Sequence, residues 1–261
     1  MSDIKLVLTD MDGTVVQLGK HLVSERIREA VIACEDAGVK VAAVTGRPYE
    51  MAQPVLEILG FEDLGIFDNG ASIRSAKTGE LVWSKWLEPA ELRTIASVVL
   101  PYASKLHYTP EFDYHEVADD EAERIELIDK PAPYVFVLAQ KDKIDEISAK
   151  LAEVPQITFY TAPSIDGLDD FKGVQITHIQ ADKFHGVAAL RAITDISKEH
   201  ILAIGDGDND VSLFQNAGLK IAMGNATDEL KAAADYVVGT VDDDGFAEAM
   251  ERFVLGRNLV T

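Results

Sequence analysis

The chain has 261 residues, 47% of them hydrophobic, which is enough to bury the core of one large domain or of a domain carrying an inserted second one. Its net charge of −21 repels nucleic acid backbones and anionic membrane surfaces, so neither is an expected partner. A single cysteine and six scattered histidines argue against disulfides, multi-thiolate metal sites and a zinc enzyme.

The N-terminal region and the cysteine content also indicate the cellular compartment. The first apolar stretch, Leu6 to Leu8, is too short for a signal peptide or a membrane span. The lone Cys34 suits a reducing compartment, and we expect it to be buried in a helix. Together these features predict a cytoplasmic protein.

The first elements along the chain are a strand, a helix and a second strand. Lys5 to Thr9 and Val39 to Val44 are apolar runs without alternation, which is typical of strands buried on both faces of a parallel sheet. Ser24 can cap the helix between them, and Gly38 can end it. The predicted apolar face of that helix consists of Ile27, Val31, Ile32 and Cys34.

The middle third differs in pattern. Helical periodicity at Pro89 to Leu100 and at Lys143 to Leu151 alternates with strand-like segments. Those segments are Tyr134 to Ala139, Ile157 to Tyr160 and Val174 to Ile179. We therefore predict an α/β protein with a Rossmann-like parallel sheet core and helices on both faces, formed by residues 1–82 and 181–261. Residues 83–180 are predicted to form an inserted α+β domain.

A third apolar run, Ile201 to Ile204, returns to the pattern of the first part. Each of the three runs ends in a polar turn that contains glycine, and ligands of open parallel sheets collect at the carboxyl ends of the strands. We expect these turns to converge on one site. Acidic runs at Asp119 to Glu123 and Asp242 to Asp244 lie outside them and are expected to be solvated faces or helix starts.

Two carboxylates stand directly after the first predicted strand. Asp10 and Asp12 are separated by one residue and are followed by a glycine. A lone Asp-x-Asp usually serves solvation or turn formation, but phosphoryl transfer needs an oxygen nucleophile and a proton donor for the departing alcohol. Asp10 suits the nucleophile. Asp12 suits the acid, and it can then act as a base towards the water that hydrolyses the aspartyl phosphate.

The third turn offers oxygen ligands for a hard cation. Its sequence is Gly205-Asp206-Gly207-Asp208-Asn209-Asp210. A calcium loop is the alternative, but its glycine at the sixth and glutamate at the twelfth position are absent. We expect Mg²⁺, with Asp206 as a direct ligand beside Asp10 and the carbonyl of Asp12. Asp210 and Asn209 are expected to act through water or by orienting their neighbours.

Phosphate oxygens require donors and positive charge. Thr45 and Gly46 offer a hydroxyl and an open backbone N–H after the second strand, and Arg47 adds a fork-shaped donor. Lys183, where the insertion rejoins the sheet domain, can neutralise both the nucleophilic carboxylate and the phosphoryl group. The further predicted phosphate-binding residues are Met11 and Asn209.

The order of these motifs resembles that of haloacid dehalogenase (HAD) superfamily phosphatases. The motifs are Asp-Met-Asp-Gly-Thr, Thr-Gly-Arg, a lysine and Gly-Asp-Gly-Asp-Asn-Asp, and they span the whole chain. Asp68-Asn69-Gly70-Ala71 and Gly224-Asn225-Ala226, followed by Lys231 and Ala234-Asp235, further resemble the Cof-like branch. That branch carries a type IIB α+β cap between the second and third motifs, the interval of the predicted insertion.

The resemblance implies roles for the same residues. Asp10 would be the nucleophile, Asp12 the acid and base, Thr45 and Lys183 the phosphate stabilisers, and Asp206 the metal ligand. The chain departs from the family pattern at one point: family members often place glycine directly after the lysine, whereas here Phe184 and His185 precede Gly186.

The predicted function is hydrolysis of a small phosphorylated metabolite by a magnesium-dependent phosphatase with an aspartyl-phosphate intermediate. Sugar phosphates, nucleotides and phosphorylated cofactors all remain open as substrates, and the cap is expected to choose among them. A phosphomutase using the same intermediate is the nearest alternative. A dehalogenase would leave Asp12 without an alcohol to protonate, and a non-catalytic signalling module would need to preserve its aspartyl phosphate.

Overall fold

The computed structural model describes residues 3–103, 105–108, 115–117, 128–161 and 170–257. The chain divides into two compact units. The first consists of Met1–Trp83 and Asp182–Thr261, and the second of Ser84–Ala181. The acidic run from Asp119 to Glu123 lies outside the described residues. Within the part of the chain that is described, no helix has the length and apolar character needed to cross a bilayer.

The first unit begins with two strand–helix pairs, which are followed by three further strands. They are β1 (Leu6–Thr9), α1 (Glu25–Asp36), β2 (Lys40–Ala43), α2 (Tyr49–Leu59), β3 (Leu64–Phe67), β4 (Ser72–Ser75) and β5 (Leu81–Ser84). The side chain of Ser24 caps α1 by accepting a hydrogen bond from the Ile27 N–H, and Cys34 is buried in this helix, as predicted. Ile32 does not share the buried face and is 43% exposed, because it lies about 100° around the helix from Val31.

The second unit is an α+β module. Its elements are α3 (Pro89–Val99), β6 (Lys105–Tyr108), β7 (His115–Val117), β8 (Tyr134–Gln140), α4 (Ile144–Leu151), β9 (Ile157–Thr161) and β10 (Phe171–His178). The strands form an antiparallel sheet in the order β7-β6-β8-β10-β9. α3 packs against α4, and both contribute to a core of their own that includes Ile95, Ile147 and Val137.

The chain returns to the first unit through α5 (Lys183–Thr194). The elements that follow are β11 (Ile201–Gly205), α6 (Asp210–Phe214), β12 (Leu219–Ala222), α7 (Asp228–Ala233), β13 (Tyr236–Val237) and α8 (Gly245–Ala249). A 3₁₀ turn at Val241–Asp243 leads into α8, so this acidic run marks a helix start, as predicted.

A parallel sheet with the order β13-β12-β11-β1-β2 organises the first unit. β1 lies between β11 and β2, and its last residue, Thr9, pairs with Ile204 on one side and Ala43 on the other. Helix α1 packs against α2 and α8, whereas α6 packs against α5 and α7. The predicted α/β class with a parallel sheet core is confirmed. The carboxyl ends of β1, β2 and β11 therefore meet at one edge of the sheet.

A tight turn lies beside that edge and packs against Gly186 of α5. Asp68, Asn69 and Gly70 have positive φ angles of 54°, 57° and 112°. The Asn69 N–H donates to the carbonyl of Thr45 at 3.0 Å, which ties this turn to the loop after β2. A Cβ at Gly186 would lie 2.9 Å from Cγ2 of Ile66 and 3.1 Å from the backbone of Gly70. Gly186 thus lets the first turns of α5 approach this edge closely.

We expect Gly186→Ala to destabilise the protein by about 1–3 kcal/mol, because the added methyl group meets packed atoms. Helix propensity alone would give the opposite sign, a gain of about 0.5–1 kcal/mol. Urea unfolding followed by circular dichroism measures the change. Ala188→Gly, at an exposed position of the same helix, provides the propensity difference on its own. Equal or higher stability of Gly186→Ala would contradict the close approach.

Candidate active site

Lys183 lies at the centre of the site, fully buried. Asp182 caps α5 and accepts a hydrogen bond from the His185 N–H, so that Lys183 is the first residue of the helix. The Lys183 ammonium donates to Oδ1 of Asp10 at 2.6 Å and to Oδ1 of Asp210 at 2.7 Å. Its side chain has no exposed surface. Burial opposes its charge, but Asp10 and Asp210 outweigh that effect and raise the pKa of Lys183, so the ammonium stays protonated.

Asp210 links the lysine to the loop after β11. Its Oδ2 accepts hydrogen bonds from the N–H groups of Asp206 and Gly207, both at 3.0 Å. A Cβ at Gly205 would lie only 2.4 Å from Cγ of Asp210, so glycine is needed where the chain folds back on this carboxylate. Both oxygens of Asp210 are therefore used by the protein, to hold Lys183 and to order the backbone of the loop.

Asp206 is held by two side chains that were not among the predicted site residues. Thr14 donates to its Oδ1 at 3.0 Å, and Asn225 donates to its Oδ2 at 3.3 Å. Gly13, with φ at +80°, leaves room for this carboxylate, since a Cβ there would lie 2.0 Å from Oδ2. Thr14 and Asn225 belong to the motifs that carry the family resemblance, which is the signal by which they could have been found.

Three carboxylates form an acidic cluster, and the Lys183 ammonium contacts two of them. Ligand oxygens of Asp10, Asp206 and Asp210 lie within 4.8 Å of one another. Burial, together with the neighbouring Asp210 and Asp206, raises the pKa of Asp10 to about 7 despite Lys183. Burial likewise raises the pKa of Asp206 to about 6 against the Thr14 hydrogen bond. One lysine does not balance three acids, so this set of hard oxygen donors fits a divalent cation such as Mg²⁺.

Asp12 lies in a different electrostatic environment. Arg47 donates from Nη2 to Oδ1 at 2.6 Å and from Nε to Oδ2 at 2.7 Å, and the Gly19 N–H donates to Oδ1 at 2.9 Å. Burial favours the neutral acid, but these hydrogen bonds outweigh it and lower the pKa of Asp12. Arg47 also donates to the carbonyls of Lys20 and Met51. Arg47, predicted as a phosphate donor, is thus paired with Asp12 in this structure.

The remaining predicted residues surround an open cavity of about 520 Å³. Its walls include Asp10, Asp12, Asp206, Thr45, Gly46, Arg47 and Asn209. Thr45 is buried, and its Oγ1 accepts a hydrogen bond from the Arg47 N–H. The Asn209 amide donates to Oδ1 of Asn69 at 3.4 Å. Met11 packs in the hydrophobic core, so only its backbone is available to a phosphate.

Comparison with known proteins agrees with this geometry. The sequence profile of haloacid dehalogenase-like hydrolases matches residues 7–109 and 101–250. A 5-amino-6-(5-phospho-D-ribitylamino)uracil phosphatase of Bacillus subtilis (strain 168) is 26% identical, over 97% of this chain and 97% of the relative. A phosphoglycolate phosphatase of Methanobrevibacter smithii is also 26% identical, over 97% and 100% of the two chains. The solved structure of a HAD subclass IIB sugar phosphatase, BT4131, superposes with a TM-score of 0.75 at 22% identity, covering 95% of this chain and 98% of that one.

The chain therefore belongs to the haloacid dehalogenase-like hydrolases. The resemblance to the Cof-like members of this superfamily, predicted from the motifs, is confirmed, and so is the prediction of a hydrolase. The relatives named for an activity are phosphatases, in agreement with the predicted enzyme class.

Replacing Lys183 by methionine should cost about 3–5 kcal/mol of stability in metal-free buffer, because it leaves buried carboxylates without a counter-charge. Urea denaturation measures the loss. Adding Asp210→Asn to this variant should restore part of it. Lys40→Met is the matched control, since Lys40 pairs with Asp63 at an exposed site and should contribute less than about 1 kcal/mol. Equal losses for the two single variants would contradict a central role for the Lys183 pair.

Proposed function

We propose that this protein is a magnesium-dependent phosphatase that hydrolyses small phosphomonoesters through an aspartyl phosphate on Asp10. The observation that carries the proposal is the buried ammonium of Lys183, which contacts Asp10 at the wall of the cavity that Asp12 and Asp206 also line. Two carboxylates with different surroundings, one paired with a lysine and the other with an arginine, suit one nucleophile and one proton carrier.

Asp10 is the proposed nucleophile. Lys183 contacts its Oδ1, which leaves Oδ2 to attack phosphorus while the bond from phosphorus to the alcohol oxygen breaks. The lysine offsets the charge of the carboxylate as it approaches the phosphoryl oxygens. Thr45 and Gly46 line the same cavity and can donate to those oxygens.

Asp12 is the proposed proton carrier. In the first half-reaction it gives a proton to the leaving alcohol, and in the second it takes one from the water that breaks the bond between phosphorus and Asp10. Its pairing with Arg47 lowers its pKa and suits the second step. An incoming phosphate dianion raises the pKa of Asp12 and offers Arg47 a second anion, which favours protonation of Asp12 for the first step.

Mg²⁺ is the proposed cofactor, held by Asp10, Asp206 and the carbonyl of Asp12, with Asp210 in support. When bound, it would supply positive charge to the carboxylates and to the phosphoryl oxygens. Thr14 and Asn225 keep both oxygens of Asp206 oriented, and Asp210 orders the backbone of the same loop. Because these carboxylates are already oriented, less free energy is needed to arrange the ligands when the ion binds.

The substrates we propose are small phosphorylated metabolites. Relatives named as phosphatases of a ribitylaminouracil phosphate and of phosphoglycolate support this class, and so does the fold shared with a sugar phosphatase. The inserted residues 83–180 are proposed to act as a cap that selects the substrate and excludes bulk water.

Asp10→Asn should lower phosphate release by about a thousandfold or more, because the amide cannot form the aspartyl phosphate. A malachite green assay on an aryl phosphate and a panel of phosphorylated metabolites measures the rate. Asp208→Asn is the matched control: Asp208 is an exposed acid in the Gly205–Asp210 loop and should stay within about twofold of the native rate.

Product analysis on the best substrate separates hydrolysis from transfer. Free phosphate in amounts equal to the alcohol supports the proposal, whereas an isomeric phosphate ester would identify a phosphomutase. Full activity of Asp10→Asn would exclude an aspartyl phosphate at this residue.

Removal of magnesium by chelator should abolish turnover, and titration with Mg²⁺ should restore it. Asp206→Asn should weaken Mg²⁺ binding by about tenfold or more, since it replaces a carboxylate by a neutral ligand. Isothermal titration calorimetry in the absence of substrate measures the affinity directly, and unfolding curves show whether the variant keeps its fold. Unchanged affinity would place the ion elsewhere.

A further inference from the structure

Two large apolar side chains remain exposed at the rim of the acidic cavity. Leu18 is 82% exposed and Met51 is 58% exposed. Both belong to the lining of the cavity that contains Asp10 and Asp12, together with Pro48. The charged network of the site uses neither side chain, and covering them with an apolar group would favourably release the water in contact with them.

The backbone around both residues is tied to Asp12. Leu18 directly precedes Gly19, whose N–H donates to Oδ1 of Asp12 at 2.9 Å. The carbonyl of Met51 accepts a hydrogen bond from Nη1 of Arg47 at 3.4 Å, and the same guanidinium holds Asp12. Leu18 and Met51 are thus anchored on the side of the site where the proposed acid meets the leaving alcohol.

Exposure of a single apolar side chain is ordinary and would mean nothing by itself. The same loop provides the comparison, because Leu22 is 85% exposed and lines a different cavity, next to Val241 and Asp242. Leu18 differs from Leu22 in that it shares its cavity with the reacting carboxylates and with a second exposed apolar residue.

We infer that Leu18 and Met51 form an apolar contact for the alcohol part of the substrate. The protein would therefore prefer phosphomonoesters whose alcohol carries an aromatic or alkyl group near the phosphate over polyhydroxylated ones. This inference rests on the proposed function, since it places the leaving group beside Asp12.

Benzyl phosphate and glycerol 1-phosphate test the inference. Both are esters of primary alcohols, and they differ mainly in the polarity of the group that the alcohol carbon carries. For the native protein we expect a higher kcat/KM with benzyl phosphate. Leu18→Ser and Met51→Gln should each lower the ratio of kcat/KM for benzyl phosphate to that for glycerol 1-phosphate by about fivefold to tenfold. Leu22→Ser is the matched control and should leave this ratio unchanged.

The volume-conserving change Leu18→Met should keep the preference, because it retains an apolar surface of similar size. A native protein that prefers glycerol 1-phosphate, or a ratio that Leu18→Ser and Leu22→Ser alter equally, would overturn the inference and leave the aspartyl-phosphate mechanism intact.

Binding of phosphonates separates the inference from the proposed chemistry. Benzylphosphonate and methylphosphonate are not hydrolysed, so calorimetry with the magnesium-loaded native protein needs no turnover. We expect benzylphosphonate to bind about tenfold more tightly and to lose that advantage in Leu18→Ser. Equal affinities for the two phosphonates would overturn the inference even if the enzyme is active. The expected difference in affinity, found in a protein without phosphatase activity, would contradict only the proposed mechanism.

Discussion

Burial of the Lys183 ammonium between Asp10 and Asp210 is the interaction on which the site depends. A charge without solvent is stable only when it is paired and hydrogen-bonded, and here both partners are carboxylates from different strand ends. Each partner is fixed in turn, Asp10 by its place after β1, which is paired on both sides, and Asp210 by two backbone N–H groups. The lysine thereby joins residues that are distant in sequence, and its removal would leave mutually repelling acids at the strand ends.

The same arrangement gives two aspartates of one motif opposite properties. Burial and neighbouring acids raise the pKa of Asp10, whereas Arg47 and Gly19 lower that of Asp12. The two carboxylates are only two positions apart along the chain, yet they meet different partners, because the chain turns directly after Asp10. Asp10 faces the lysine and the acidic loop, and Asp12 faces the arginine. This separation is what a nucleophile and a proton carrier in the same reaction require.

Much of this arrangement could be predicted from the sequence, because unalternated apolar runs identify buried parallel strands and strand ends converge. The parallel sheet was found in this way. The family was identified from the order of the motifs, and the burial of Cys34 was expected from its place in the predicted helix. The side-chain partners could not be: the Arg47–Asp12 pair depends on the path of the loop through Gly19, for which the sequence carries no periodic signal. Ile32 was wrongly assigned to the buried face of α1. Its apolar character suggested that face, but the rotation of about 100° per residue turns it away from Val31.

The position of β1 between β2 and β11 bears on how the protein is synthesised. This strand pairs with β11, whose residues 201–205 are synthesised only after the whole second unit. Until then one edge of an apolar strand has no neighbour, and such edges recruit other chains. Because the second unit is translated in this interval, its length sets how long the nascent sheet stays incomplete. Slow translation through the insert would therefore extend the period in which this strand edge stays unpaired.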